Sequence, residues 1–490
     1  MKKFSKVLSI LLSVVLVISS FYLLYQVIRL NVLPSKFLFP LTIGVVVLDA
    51  IFILLLVYFS KNVVSKIVCI VLTLFICVAS CMGGYYISKT QGALSNITNV
   101  AKHAKNTVSV IVKESSSIKD KSQLNGVSVG SLRLNEQGSK KTLKELSGEG
   151  IVLNQTEYDS MTALLEAFYN GDVDSIIINE SSRSQILDIE AYSNFDSNTR
   201  VVYQTSYKVK NNDSATSVSD ITSKPFNVLI SGSDTRGGFD ENGRSDVIMI
   251  ATVNPKTHTI LLTSVPRDFY VTTACDAGDG CMQGALDKIT HTGIHGTNTT
   301  KRTVEQLLGI EINYTFKVGF DTVTELVDVL GGVDVYVEPG YATTTSQFSV
   351  HEGVNHLNAE QALAFARERY SYTEGDRQRT KNQQQVLMGI VKEATKPSVI
   401  TNYAAIMDTM ANTFSTTMSN EEITDLIKYQ LNNNPTWKME QYMVDGTGDT
   451  LMCAELGDAA SVMVPDQSTV KMAKDKINAV LAGKSSEDVK

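Results

Sequence analysis

Soft metal ligands are scarce in this sequence and show no ordered spacing. The 490 residues include six cysteines and six histidines, and none of them form the paired Cys/His spacing of a zinc site. His291 and His295 are four residues apart, but two histidines alone are more often ordinary polar residues than ligands. The sequence therefore gives no sign of a soft-metal centre.

Cysteine pairing is equally limited. Three of the cysteines fall within one apolar run near the N-terminus and are predicted to be packing residues. Cys275 and Cys281 flank the loop CDAGDGC, whose glycines would let its ends meet. A disulfide there is permitted outside the cytoplasm but not required. Cys453 is left unpaired.

An excess of basic residues is also absent. The formal net charge is −7. Residues 1–105 carry ten Lys or Arg and one acid, so residues 106–490 carry 34 Lys or Arg and 50 Asp or Glu, a net charge of −16. This balance excludes a general nucleic-acid binder, because such binding depends on a basic surface. A basic cluster within residues 106–490 is informative because it stands against the acidic average.

A cleavable signal sequence is not predicted either, although the chain begins with apolar segments. The apolar runs cover residues 7–28, 37–59 and 66–87. Each has about 22 residues and reaches about 33 Å as a helix, enough to cross a bilayer core. No small-residue cleavage site follows the first run, and two more runs come after it. The sequence predicts three transmembrane helices.

Charges beside these runs indicate their orientation. Three lysines in the first six residues favour the cytoplasmic side, as do Lys61, which precedes the third run, and Lys66 at its start. Arg29 and Lys36 weaken that bias. Three spans then place everything after residue 88 outside the cell, in a multi-pass membrane protein. Asp49 within the second run is costly in lipid, so it either faces another helix or a partner protein, or is a tolerated lone acid.

The rest of the chain has mixed α/β patterning. In the first hundred residues after the membrane, NTVSVIVKE, GVSVGSL and VDSIIIN favour strands and SMTALLEAFYN favours an amphipathic helix. A polar stretch rich in Ser, Thr, Asn and Asp follows. The predicted division is membrane helices (1–88), a linker (89–105), an accessory α/β domain (106–209), a second linker (210–224) and a larger α/β domain (225–490).

Acids and arginines recur at three predicted strand ends of the larger domain. PFNVLIS, SDVIMIATV and HTILLTSV favour three strands. In an antiparallel meander, the end of the first, the start of the second and the end of the third meet at one sheet edge. The residues at these positions are Asp234, Arg236, Arg244, Asp246, Arg267 and Asp268. Ion pairs at a sheet rim are the simple alternative to a binding site.

Residues 366–385, ARERYSYTEGDRQRTKNQQQ, hold four of the twelve arginines: Arg367, Arg369, Arg377 and Arg379. A helix with Asn358 as N-cap should end near Arg369, and a second helix should begin at about Thr380. Gln383 lies one turn, and Arg379 two turns, before the apolar stripe Val386, Leu387, Ile390, Val391 and Ala394. An arginine and an amide facing inward favour an anion site over solvated surface.

These motifs, in this order and together with ALDKITHTG and GVDVYV, resemble the LytR–CpsA–Psr (LCP) family over about residues 225–396. Three spans plus an intervening domain are most similar to the CpsA type of capsulated streptococci, whose accessory domain resembles a DNA-polymerase-processivity-factor module. The resemblance implies a membrane-anchored α/β protein with a central mixed sheet and a lipid pocket. Candidate pocket walls are strands 247–253 and 312–318 and helix 321–330, which equally suit an ordinary core.

The resemblance also implies an activity outside the cell. It is a phosphotransferase that moves a glycopolymer, here a capsular polysaccharide, from a polyprenyl diphosphate carrier to peptidoglycan. Capsule-synthesis membrane proteins are further candidate partners. The implied catalytic residues are Asp234, Arg244, Asp246 and Arg267. The implied diphosphate ligands are Arg244, Arg267, Arg367, Arg369 and Arg379, with Gln383 assisting and Lys288 near.

Asp234 and Asp246 have no Cys or His nearby, which suits Mg²⁺, with Mn²⁺ as an alternative. A carboxylate base is expected, and the sequence does not choose among Asp246, Asp268 and Asp376. Two other functions stay open on the same residues. One is a polyprenyl diphosphate pyrophosphatase, in which water replaces the sugar hydroxyl. The other is a non-enzymatic membrane regulator of capsule synthesis that senses a lipid-linked sugar.

Overall fold

The computed structural model describes residues 2–59, 62–100, 103–133, 136–210, 213–233, 241–276, 280–396 and 399–490. Three N-terminal helices are long and apolar enough to cross a membrane. They are α1 (Lys2–Leu30), α2 (Ser35–Leu54, continued by a π turn at Leu55–Phe59) and α3 (Val63–Val100). The three predicted spans are confirmed. Ser20 of α1 donates to Asp49 at 2.9 Å, so Asp49 faces another helix.

Helix α3 does not end at the membrane boundary. It continues to Val100, so residues 89–100, expected as linker, are helical. Ala93, Leu94 and Ile97 are buried against an apolar cluster of the larger domain, which explains why the helix persists. Residues 89–100 are therefore helix and not linker, because their apolar residues pack on the larger domain.

The accessory domain contains one five-stranded sheet among its described residues, in the order β3-β2-β4-β1-β5. β2 runs parallel to β3 and β4, and β1 is antiparallel to β4 and β5. Every residue of β4 is buried, as its continuous apolar run predicts. The elements are β1 (His103–Lys113), β2 (Ser128–Leu132), α4 (Glu136–Gly148), β3 (Asn154–Tyr158), α5 (Met161–Asn170), β4 (Ser175–Asn179), α6 (Arg183–Asp188), α7 (Phe195–Asn198) and β5 (Thr199–Lys210).

The larger domain is built on a mixed sheet with the order β16-β11-β6-β7-β8-β17. The meander β6-β7-β8 is antiparallel, as predicted, while β11 and β17 join its two sides in parallel. The strands are β6 (Phe226–Ser233), β7 (Val247–Asn254), β8 (Thr259–Val265), β9 (Tyr270–Thr272), β10 (Leu286–Lys288), β11 (Tyr314–Gly319), β12 (Val333–Val337), β13 (Thr343–Thr344), β14 (Ser349–Val350), β15 (Gly353–Leu357), β16 (Phe414–Thr416), β17 (Lys438–Met443), β18 (Gly446–Cys453) and β19 (Asp458–Pro465).

Helices cover both faces of this sheet. They are α8 (Thr297–Leu308), α9 (Phe320–Leu330), α10 (Ala359–Arg367), α11 (Asp376–Ala394), α12 (Val399–Thr413), α13 (Asn420–Asn433) and α14 (Gln467–Leu481). Leu229 and Ile250 pack in a cluster with α8 and α14, whereas their neighbours Val228 and Met249 pack in a cluster with α11 and α13. Alternate strand residues therefore pack into two hydrophobic cores, one on each face of the sheet. The domain is an α/β sandwich.

The polar segment before β6 packs on this domain instead of linking freely. The backbone amide of Thr216 donates to Asn313 at 2.9 Å, and that of Val218 donates to the Tyr314 hydroxyl at 2.9 Å. Asp213 accepts a hydrogen bond from Thr315 at 2.6 Å. The described part of the expected second linker is thus an extension of the larger domain. Its polar composition alone did not indicate this packing.

Candidate functional site

One edge of the β6-β7-β8 meander forms the floor of the candidate site. Gly232 pairs with Val247 and Ile248 pairs with Val265, so the end of β6, the start of β7 and the end of β8 lie together. Asp246 immediately precedes β7, and Arg267 follows β8 by two residues. The geometric prediction of convergence is confirmed for these two residues.

Asp246 organises the charges at this edge. Its Oδ1 accepts a 2.8 Å hydrogen bond from Nη1 of Arg267 and a longer one, 3.4 Å, from Thr290. Nε of Arg244 lies 3.9 Å from the same oxygen. The backbone amide of Asp246 donates to Gly232 at 2.8 Å, which ties the side chain to the end of β6.

A second carboxylate continues the cluster. Asp268 lies 3.4 Å from Nζ of Lys288 and 3.8 Å from Nε of Arg267. That Nε is buried without a hydrogen-bond partner. Burial lowers the pKa of the Arg267 guanidinium, but Asp246 and Asp268 outweigh it, so that the pKa is raised. Arg267 is therefore held charged, with one donor still unsatisfied.

The first turn of α11 supplies the opposite wall. The helix begins at Asp376, after Gly375 with a φ of +54°, a left-handed value that glycine adopts readily. The predicted start at Thr380 was therefore four residues too late, because a glycine followed by an acid marks the earlier N-terminus. Arg379 pairs with Asp376 one turn before it.

Arg379 lies in an unfavourable field for a cation. Burial lowers the pKa of its guanidinium, Asp376 opposes this, and the nearby charges of Arg267 and Arg369 lower it further. The net pKa shift is downward. Repulsion among three arginines that the fold holds together would be relieved by a bound anion.

An apolar cavity of about 80 Å³ opens beside these charges. Its walls come from β6, β7, β11, α9, α10 and α11, with Gln383 and Ser233 as polar groups among them. The lining includes Val247, Met249, Val318, Val323, Leu363, Ala366, Val386, Leu387 and Ile390. Val247 directly follows Asp246, so the cavity and the charged edge adjoin.

The LytR_cpsA_psr family model matches residues 191–479, more than half of the chain. The chain belongs to this family. It is 31% identical over 243 residues to the polyisoprenyl-teichoic acid–peptidoglycan teichoic acid transferase TagU of Bacillus cereus, covering 49% of this chain and 77% of the relative.

The Bacillus subtilis transferase of the same name is 34% identical over 203 residues, covering 41% of this chain and 63% of that protein. The crystal structure of B. subtilis TagU superposes with a TM-score of 0.41 and 28% identity, covering 53% of this chain and 97% of that one.

The other three arginines of residues 366–385 differ in their contacts. Arg369 donates to the Tyr370 hydroxyl at 2.6 Å, with its guanidinium 4.6 Å from that ring's centroid. Arg367 is the exposed last residue of α10. Arg377 turns away and donates to Asp445 at 2.8 Å, so it is outside the cluster.

The expected metal ligands are only partly described. Asp234 and Arg236 fall outside the described residues, so their positions in the LytR_cpsA_psr domain stay predictions. Asp246 is a carboxylate, a donor that suits Mg²⁺. Within the described ranges no group of three or more His, Cys, Asp and Glu could hold a metal ion, and a Mg²⁺ site would need Asp234 or ligand oxygens.

Both histidines of the 291–295 turn are ordinary buried groups. His291 bonds to Asp287 at 2.7 Å and His295 to Glu455 at 2.9 Å. Cys275 and Cys281 form a disulfide, and Cys453 is a free buried thiol.

Two parts of the site were missed from the sequence. Helices α10 and α11 wall the cavity, although only their apolar spacing was available as a signal. Nη1 of Arg244 pairs with Asp188 of the accessory domain, 56 residues earlier. Nothing in the sequence near Asp188 indicated that contact.

Proposed function

We propose that this protein transfers a glycopolymer from a polyprenyl diphosphate carrier to peptidoglycan. The observation that carries the proposal is the cluster of Arg244, Arg267, Arg379 and Lys288 beside an apolar cavity. A lipid diphosphate combines an anionic group, which suits the basic cluster, with an apolar chain, which suits the cavity. Relatives named as polyisoprenyl-teichoic acid–peptidoglycan transferases support the same class of reaction.

The arginines suit the diphosphate. A guanidinium binds phosphate oxygens through two parallel hydrogen bonds, each charged bond contributing about 1.5–3 kcal/mol. Arg267 has a buried, unsatisfied Nε, and Arg379 is repelled by its neighbours. A diphosphate would satisfy the first and relieve the second. Arg367 and Arg369, at the end of α10, would contact its outer oxygens, and Gln383 would reach it from the cavity side.

The cavity suits the lipid. Its lining is apolar apart from Gln383 and Ser233, and burial of an isoprenoid chain there contributes about 25 cal/mol per Å².

The reaction follows from this placement. A sugar hydroxyl of peptidoglycan attacks the sugar-side phosphorus, the bond from that phosphorus to the bridging oxygen breaks, and polyprenyl monophosphate leaves. The hydroxyl proton passes to a carboxylate among Asp246, Asp268 and Asp376. Mg²⁺, held by Asp246 and Asp234, would neutralise charge on the diphosphate and the leaving phosphate. Arg267 and Arg379 hold the diphosphate in place while the hydroxyl approaches.

The site is proposed to lie outside the cell. Lys36, in the first turn of α2, donates to the backbone carbonyl of Asn432 in α13 at 2.7 Å. This contact supports an arrangement with the α1–α2 loop and the larger domain on one side of the membrane. The glycopolymer is proposed to be capsular polysaccharide, because the three spans and the accessory domain resemble the CpsA type.

The test is mass spectrometry of small molecules extracted from the purified full-length protein. A polyprenyl phosphate or diphosphate, present in the wild type and depleted in Arg379→Ala, is the expected result. Arg377→Ala is the matched control, since Arg377 lies on the same helix but pairs with Asp445. Absence of polyprenyl lipids from the wild type would contradict the proposed site. Release of free glycopolymer without an acceptor would favour a pyrophosphatase.

A further inference from the structure

A carboxylate of the accessory domain holds one arginine of the site. Nη1 of Arg244 donates to Oδ2 of Asp188, the last residue of α6. The Arg244 side chain is 15% exposed, and that of Asp188 is 52% exposed. Because Nε of Arg244 also lies 3.9 Å from Asp246, this arginine connects the accessory domain to the charged edge of the sheet.

The surrounding interface holds α6 in this position. Thr162 at the start of α5 donates to the Leu456 carbonyl through its amide at 3.2 Å and its hydroxyl at 3.0 Å. Ile189, next to Asp188, packs in the cluster that contains Leu456. On the other side, Lys105 of β1 lies 3.3 Å from the buried Glu241. Asp188 is thus presented to Arg244 by a two-point contact between the domains.

We propose that Asp188 sets the affinity of this site for anions. Asp188 forms an ion pair with Arg244 when no ligand is bound. A bound diphosphate displaces Asp188 and pairs with the guanidinium instead. The inference rests on the proposed function, because it assumes that the arginine cluster binds a diphosphate.

The consequence is selectivity by charge. A ligand must compete with a carboxylate that is already in place, so a singly charged phosphate gains little, whereas a diphosphate can contact Arg244 and the arginines behind it together. The half-exposed position of Asp188 lets it move into solvent once displaced. Asp188 then acts through Arg244 and does not contact the reacting atoms.

The experiment measures binding of inorganic pyrophosphate to the full-length protein in detergent by calorimetry. Asp188→Asn is expected to bind pyrophosphate about three- to tenfold more tightly, since one repelling charge is removed from a partly exposed site. Glu190→Gln makes the same charge change two residues away on an exposed side chain and is expected to leave the affinity unchanged. Arg244→Gln is expected to weaken binding and to cancel the effect of Asp188→Asn in the double variant.

The possible results separate the two proposals. Unchanged or weaker binding by Asp188→Asn, while the wild type binds and Arg267→Ala does not, overturns this inference and leaves the diphosphate site standing. An equal gain in Glu190→Gln also overturns it, since the effect would then be general charge. Failure of the wild type to bind pyrophosphate overturns both.

Discussion

Replacement of Arg379 by alanine removes a cation that lies close to two other arginines. The Arg379 side chain is 16% exposed, and Arg267 and Arg369 repel it. Its partner Asp376 only partly compensates, since the net shift of the Arg379 pKa is downward. Keeping Arg379 charged is therefore unfavourable in free energy, and a bound diphosphate would offset this.

The expected loss is large in activity and small in stability. Removal of one preorganised charge partner from a site of this kind typically lowers the rate by about 10²–10³-fold, or about 2.7–4 kcal/mol. Repulsion with Arg267 and Arg369 disappears at the same time, so the melting temperature should stay within a few degrees of wild type. Arg267→Ala should lose comparable activity.

The assay is transfer from a short-chain polyprenyl diphosphate-linked sugar to a peptidoglycan oligosaccharide, with the melting temperature measured on the same preparations. Arg377→Ala controls for loss of positive charge from α11, since Arg377 pairs with Asp445 away from the cluster. Near-normal transfer by Arg379→Ala and Arg267→Ala would refute the diphosphate site. Equal losses in Arg377→Ala would show that general charge, not this geometry, is responsible.

Three further predictions concern the metal, the topology and pH. Chelator should abolish turnover by the wild type, and added Mg²⁺ should restore it. Added Mg²⁺ should not restore turnover in Asp234→Ala or Asp246→Ala. Turnover that persists with chelator contradicts the metal role. Cysteine at the exposed Ser217, in a background lacking Cys275, Cys281 and Cys453, should react with an impermeant thiol reagent in intact cells, and labelling only after lysis would place the site inside. Burial raises the pKa of Asp213 from 3.8 to about 6, so its ionised form disfavours the fold above pH 6. Asp213→Asn should stabilise the protein at pH 7.5 by at most about 3 kcal/mol. The gain should shrink as pH falls through 6 towards 4, and a melting-temperature difference constant over that range would contradict it.

The sequence was sufficient where the physical signal is local. Unbroken apolar runs identify spans because every backbone group in lipid must be satisfied within the helix. The alternating strands of the meander and the Asn358–Gln361 capping box, which the structure shows at the start of α10, are likewise local patterns. Strand order then brings Asp246 and Arg267 together, because antiparallel neighbours share an edge. Arg379 and Gln383 follow from helical spacing alone.

Tertiary structure decided what depends on contacts between distant segments. The polar composition after residue 210 predicts a linker. In the structure, Asp213, Thr216 and Val218 form hydrogen bonds with the larger domain. Residues 89–100 became helix because that domain buries one face of α3. Arg377 and Arg379 are two residues apart, yet one pairs with Asp445 and the other with the site, because α11 turns about 100° per residue. The pairing of Asp188 with Arg244 exists only because the accessory and larger domains pack together, and no local sequence pattern specifies the geometry of that contact.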